Sequence, residues 1–220
     1  MEFNYRDPQQ LFAAYLKDFP SLELYYYEDA HNRVLQSDKE WSKRNLGYFC
    51  KEGEKAGFQS FMTGKEHEYS GFDLCWYCGY PPNTASRIDD WNREPKHMEL
   101  ALEHEMKKGA KQAYYAFSKL CDVKAYTKVL ICCAEWRVPH DDLAAALAKS
   151  VALSSIKVDA EKYLLIIFWE NQAQDNSQAL VVNGYIVDHL GKLTGAGSAA
   201  FPINGPSWRS AYGNNSSLDP

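Results

Sequence analysis

The sequence predicts an α/β protein with a mixed central sheet flanked by helices, and three observations predict it. Two uniformly apolar runs, KVLICCAEW at 128–136 and KYLLIIFWE at 162–170, read as buried strands. Helical patterns precede each of them, KKGAKQAYYAFSKLC at 107–121 and DDLAAALAKSVAL at 141–153; parallel strands need such crossovers. Ahead of these, three shorter strand-like runs are joined by loops, which predicts an antiparallel meander.

Taken in order, PQQLFAAYLKDF at 8–19 reads as a short amphipathic helix, and SLELYYYED at 21–29 as a strand. Ser37 and Glu40 match a capping box that opens a second helix. Leu46, Phe49, Cys50 and Gly53 hold helical spacing along it, and Gly57 ends it. Strands follow at 58–62, 71–78 and 97–106, separated by a polar turn and by a loop that begins at Pro81-Pro82. ALVVNGYIVDHL at 179–190 reads as a last strand or hairpin. The expected organisation is an N-terminal helical and extended segment (1–36), an α/β domain (37–190) and a Gly-, Ser- and Asn-rich C-terminal segment (191–220), partly disordered.

At 220 residues and 45% apolar content, a packed core needs neither disulfides nor metal. No apolar window reaches the length of a membrane span, and the charged opening MEFNYRDPQQ is unlike a signal peptide. Six cysteines lying mostly in apolar runs suit a reduced, cytoplasmic protein. The net charge of −5 argues mildly against a surface coated in nucleic acid, but not against a local basic groove or a carboxylate site neutralised by metal.

The chemistry concentrates in HMELALEHEM. Alternation along a strand sends Met98, Leu100, Leu102, His104 and Met106 to one face and His97, Glu99, Ala101, Glu103 and Glu105 to the other. Carboxylates sharing a half-buried face are costly unless a cation compensates, and Mg²⁺ takes one or two carboxylates plus waters. If this strand pairs antiparallel with the one starting near Asp73, Asp73 comes beside Glu103 and Glu105, residues 30 and 32 positions downstream. The N-terminal end of the preceding helix, with Glu40, reaches the same end of the sheet.

Asp73 in GFDLCWY, Glu103-His104-Glu105 in LALEHEM, and the element order across 37–136 together resemble the restriction-endonuclease-like PD-(D/E)XK nuclease superfamily. The resemblance implies a restriction-endonuclease-like core and metal-dependent hydrolysis of phosphodiester bonds, in DNA ahead of RNA. Asp73 and Glu103 would bind Mg²⁺ or Mn²⁺ directly, and Glu105 would bind metal or deprotonate the water. The chain departs from the family in carrying Glu105 where Lys is usual. Lys107, Lys108, Lys111 or Lys119 on the following helix, or a second metal ion, would then orient the attacking water. Many enzymes of this fold act as homodimers, although no interface signature stands in the sequence.

Other readings compete. Glu103 and Glu105 taken alone fit the solvated face of an edge strand. Glu40 has a sufficient reason to exist as the N3 residue of its capping box, and His104 reads as a core histidine. From a different class, the chain would be a catalytically degenerate nucleic-acid- or protein-binding or regulatory domain on the nuclease fold, which the acidic charge and the missing Lys favour. A third reading uses Cys75 and Cys78 as a redox or zinc pair. In an extended strand, however, that spacing points the two thiols to opposite sides.

Overall fold

A computed structural model describes residues 4–19, 38–62, 71–78, 97–106, 110–134, 138–154, 159–172 and 178–202. The expected strand at 21–29, Ser37 of the capping box, the turn at 63–70, the loop from Pro81 and the segment after Pro202 lie outside those residues.

The elements run α1 (Pro8–Asp18), α2 (Asp38–Lys55), β1 (Gln59–Met62), β2 (Leu74–Cys78), β3 (His97–Glu105), α3 (Ala110–Asp122), β4 (Thr127–Cys133), α4 (His140–Leu153), β5 (Lys162–Gln172), β6 (Gln178–Asp188) and β7 (Leu193–Pro202). The seven strands form one sheet in chain order. β1, β2 and β3 pair antiparallel, β3, β4 and β5 pair parallel, and β5, β6 and β7 return to antiparallel pairing.

The parallel centre dictates the layering. Two successive right-handed crossovers moving the same way across a sheet place their helices on one face. α3 and α4 accordingly share a face. α3 buries Ala113, Ala116, Phe117 and Leu120, and α4 buries Leu143, Leu147 and Val151, against Ala101, Leu130, Leu165 and Ile167 of the strands. The opposite face is covered by α1 and α2, whose Leu11, Phe12, Tyr15, Leu46 and Phe49 pack on Leu74, Trp76, Leu100, Leu102, Ile131 and Ile166. With helices on both sides, β4 is buried along its whole length, which is why it reads as an unbroken apolar run.

α1 starts where Asp7 caps it, accepting from the Gln9 N–H at 3.0 Å, with Pro8 in the first turn. α2 ends at Gly57, whose φ of 81° suits the left-handed conformation of a helix terminus. Trp76 Nε1 donates to the Phe49 carbonyl oxygen at 3.0 Å, tying α2 down onto β2.

Two expectations change. Residues 193–202 form the edge strand β7, inside a stretch expected to lie beyond the domain, and α1 packs on β5, β6 and β7, so the N-terminal helix belongs to the same body. Small residues make that docking possible. The Phe12 ring lies so close to Gly184 that a Cβ there would sit 2.4 Å from it. β7 bulges at Ala196, between the pairs Gly184↔Gly197 and Tyr185↔Gly195, and Gln9 Nε2 donates to the Ala196 carbonyl oxygen at 2.6 Å. Second, β3 bulges at Glu99, since Trp76 pairs with Leu100 and Tyr77 with Met98. Met98 therefore packs on the α3/α4 side with Ala101, not with Leu100 as strict alternation requires.

Gly184→Ala is expected to destabilise the chain by about 1–3 kcal/mol through overpacking against Phe12, with Gly184→Ala/Phe12→Leu recovering part of the loss in urea unfolding.

Candidate active site

β3 is not an edge strand. It lies between β2 and β4, and Glu99 and Glu103 are only 4% and 3% exposed. The reading of these acids as a solvated face does not hold for Glu99 and Glu103: each is buried, and each has a cation partner, while Glu105 is half-buried.

Glu99 stands apart from the others, at the bulge near the start of β3. The Arg6 guanidinium forks onto it, with Nε to Oε2 at 2.8 Å and Nη2 to Oε1 at 2.6 Å, and lies over the Tyr126 ring at 4.2 Å. That bidentate pair satisfies both oxygens and pins the residues before α1 to the sheet.

Glu103 sits at the other end of β3, under α3. Lys119, in the last turn of α3, donates to Glu103 Oε2 at 2.8 Å. The second oxygen, Oε1, is buried and has no hydrogen-bond partner among the described residues. Burial pushes the Glu103 carboxyl up to about 7; the Lys119 bond opposes the rise, and the negative charges of Asp73 and Glu105 add to it. Burial works against the Lys119 ammonium, but its bond to Glu103 and the negative charges of Glu103 and Asp73 together outweigh that cost and raise its pKa.

Asp73 lies in the bend immediately before β2. The ladder between β2 and β3 ends at Leu74↔Leu102, and one step further would set Asp73 opposite Glu103. There the side chain takes over from the missing backbone: Asp73 Oδ2 accepts the His104 N–H at 2.8 Å. Glu105 is half-buried and aligned with Cys132 of β4. Burial, aided by the Glu105 charge, pushes the Cys132 thiol up to about 12.

Asp73, Glu103, Glu105 and Lys119 are thus brought to one neighbourhood. Among the other expected participants, Lys111 is exposed on α3, Lys107 and Lys108 lie outside the described residues, and Glu40 is in the first turn of α2 with its side chain outside them. Cys75 is buried and Cys78 half-buried, opposite Ala101 and His97 of β3, and neither forms a disulfide among the described residues. A cavity of about 340 Å³ on the α4 side of α3, lined by Phe117, Cys121, Ser150 and Leu153 among others, includes none of the four site residues.

Sequence reading missed what lies behind β3. His104 turns to the α1/α2 face, where Ser42 Oγ is 3.1 Å from Nδ1 and Asn45 Nδ2 is 3.0 Å from Nε2. Asn45 Oδ1 in turn accepts from the Tyr15 hydroxyl at 2.8 Å. No local pattern announces these partners, which come from 59, 62 and more residues away.

The donor set is all oxygen, as Mg²⁺ or Mn²⁺ prefers. Among the described residues, no three His, Cys, Asp or Glu side chains form a closed ligand cluster. Mg²⁺ does not need one, since it keeps several waters and takes one or two carboxylates plus substrate oxygens. The orphaned Glu103 Oε1 is the observation that fits a cation here, and Lys119 holds the partner oxygen as a cation stand-in.

Comparison with protein-family models, curated proteins and solved structures finds no match to this chain. Among the described residues no helix is long and apolar enough to cross a membrane.

Glu103 has a pH signature. Its folded pKa is raised, so its contribution to stability is fully present below about 4.5 and is lost as pH rises through about 7. Relative to Glu103→Gln, the wild type is expected to lose roughly 3 kcal/mol between pH 4.5 and 8. Urea unfolding of both proteins across that range checks the slope, and parallel curves would rule out the raised carboxyl.

Proposed function

We propose that this protein is a metal-dependent nuclease with a restriction-endonuclease-like core, hydrolysing phosphodiester bonds in DNA ahead of RNA. One observation carries the reading: Asp73 and Glu103 converge where β2 begins and β3 ends, with Glu103 buried, one oxygen orphaned and a lysine on the other. The order α2, β1, β2, β3, α3, β4, with β3 and β4 parallel, supports it as well.

In this reading Asp73 and Glu103 hold Mg²⁺ or Mn²⁺. Bound there, such an ion would supply stabilisation of the charge developing on the phosphate oxygens and would acidify a water. Glu105, half-buried beside them, accepts the proton of the attacking water. Lys119 fills the role left open by Glu105 standing in place of the family's Lys. It holds one oxygen of Glu103 in the resting protein, and were a divalent cation bound there its ammonium would be available to a water or a phosphate oxygen. Metal uptake needs ionised Glu103, so affinity rises as pH passes about 7.

A second reading has its own support. Lys119 already compensates Glu103, and the His104 N–H already engages Asp73, so the acids can persist as structure in a binding or regulatory domain.

Plasmid, single-stranded and branched DNA incubated with Mg²⁺ or Mn²⁺ separates the two. Wild type is expected to cut at least one substrate. Asp73→Ala and Glu103→Gln should abolish cleavage, and Glu105→Gln should slow it by about 10²–10⁴-fold, the usual worth of a general base. Cleavage surviving in Asp73→Ala and Glu103→Gln would dismiss this site, and a wild type that neither cuts nor binds metal would leave the binding-domain reading.

A further inference from the structure

We propose that His104 is a positioning residue: the buried chain Tyr15–Asn45–His104, on the face of the sheet away from the acids, fixes Glu103 and Glu105 against Asp73. The proposal rests on the reading of those acids as metal ligands, but the geometry behind it is separate from them.

His104 belongs to both faces at once. Its neighbours Glu103 and Glu105 point to the α3/α4 side, while its imidazole points to the α1/α2 side and is held from α2 by Ser42 and Asn45. Its N–H lies at the β2 edge, just past the last ladder pair Leu74↔Leu102, and donates to Asp73 Oδ2 at 2.8 Å. Turning the imidazole therefore turns the peptide that sets the separation of Asp73 from Glu103. A strand end, where pairing stops, is otherwise free to fray.

The polar chain can run in one consistent direction. The Tyr15 hydroxyl donates to Asn45 Oδ1 at 2.8 Å, so the Asn45 amide N–H donates to His104 Nε2. Nε2 is then the acceptor, which leaves the ring proton on Nδ1 to donate to Ser42 Oγ. Burial keeps both ends of the chain neutral, lowering His104 to about 4 and raising Tyr15. Tyr15 and Asn45 are wholly buried, and Tyr15 stacks on Phe49 and packs edge-on to Phe19 and Tyr48, so the chain is anchored in the aromatic core that joins α1 to α2. Outer residues that orient a ligand in this way are worth about 10–100-fold in metal affinity.

Loosening the His104 peptide frees its N–H from Asp73 and lets Asp73 move away from Glu103.

The test follows the His104 amide by hydrogen exchange of the full chain, with Mn²⁺ binding measured alongside. Asn45→Ala is expected to speed exchange of the His104 N–H about tenfold relative to the amides of β4 and to weaken Mn²⁺ about tenfold. Tyr15→Phe removes a single oxygen and keeps the core filled; it should shift both in the same direction by less, and it decides the matter if Asn45→Ala does not fold. Leu147→Ala, in the α4 side of the other core, controls for general destabilisation and should leave the exchange of His104 relative to β4 in place. Unchanged His104 exchange in folded chain variants, or an equal change in Leu147→Ala, overturns the proposal. If the wild type neither binds Mn²⁺ nor cleaves DNA, the nuclease reading falls, while the exchange still decides whether the chain positions the acids.

Discussion

Much of this architecture depends on one expensive choice, a carboxylate buried on the covered face of an interior strand. Glu103 at 3% exposure cannot rely on water, and an isolated ionised carboxylate in a protein interior is strongly disfavoured. The chain answers in two ways. Lys119 reaches down from α3 to one oxygen, the carboxyl holds its proton to near neutral pH, and the other oxygen has no partner among the described residues.

The same rule governs the other buried charges, with a different outcome. Arg6 saturates both oxygens of Glu99, and Lys128, wholly buried in β4, meets Glu161 at 2.5 Å and the Tyr163 hydroxyl at 3.1 Å. Those pairs are paired carboxylate to cation with further polar contact, and removing one member would leave an uncompensated charge. Glu103 differs because its neighbours include two more acids, Asp73 and Glu105. That contrast, more than the presence of carboxylates, separates a candidate site from the structural ion pairs of the same sheet.

Much of the fold was legible because its signals are local. The unbroken apolar runs of β4 and β5, and the helical spacing of α3 and α4, follow from covering a parallel sheet on both faces. The approach of Asp73 to Glu103 was legible too, since antiparallel pairing needs only the direction of two strands. β7 was missed. LTGAGSAAFP looks like a linker by strand propensity, yet its small residues leave room for α1 to lie across β6 and β7. The bulge at Glu99 was missed as well, because alternation assumes one residue per step.

From its own order of residues, the chain determined its α/β class, its crossover helices and the neighbourhood of Asp73 with Glu103-His104-Glu105, since periodicity and strand direction are written locally. Only the tertiary structure decided that β3 is interior and its acids buried, because burial depends on which strands and helices come to lie alongside. It alone chose Lys119 from the basic residues of the following helix as the partner of Glu103, and it alone joined His104 to Asn45 and Tyr15. Those contacts span from 16 to 59 residues of chain, and a pairing at that range is set by packing, which no window of sequence records.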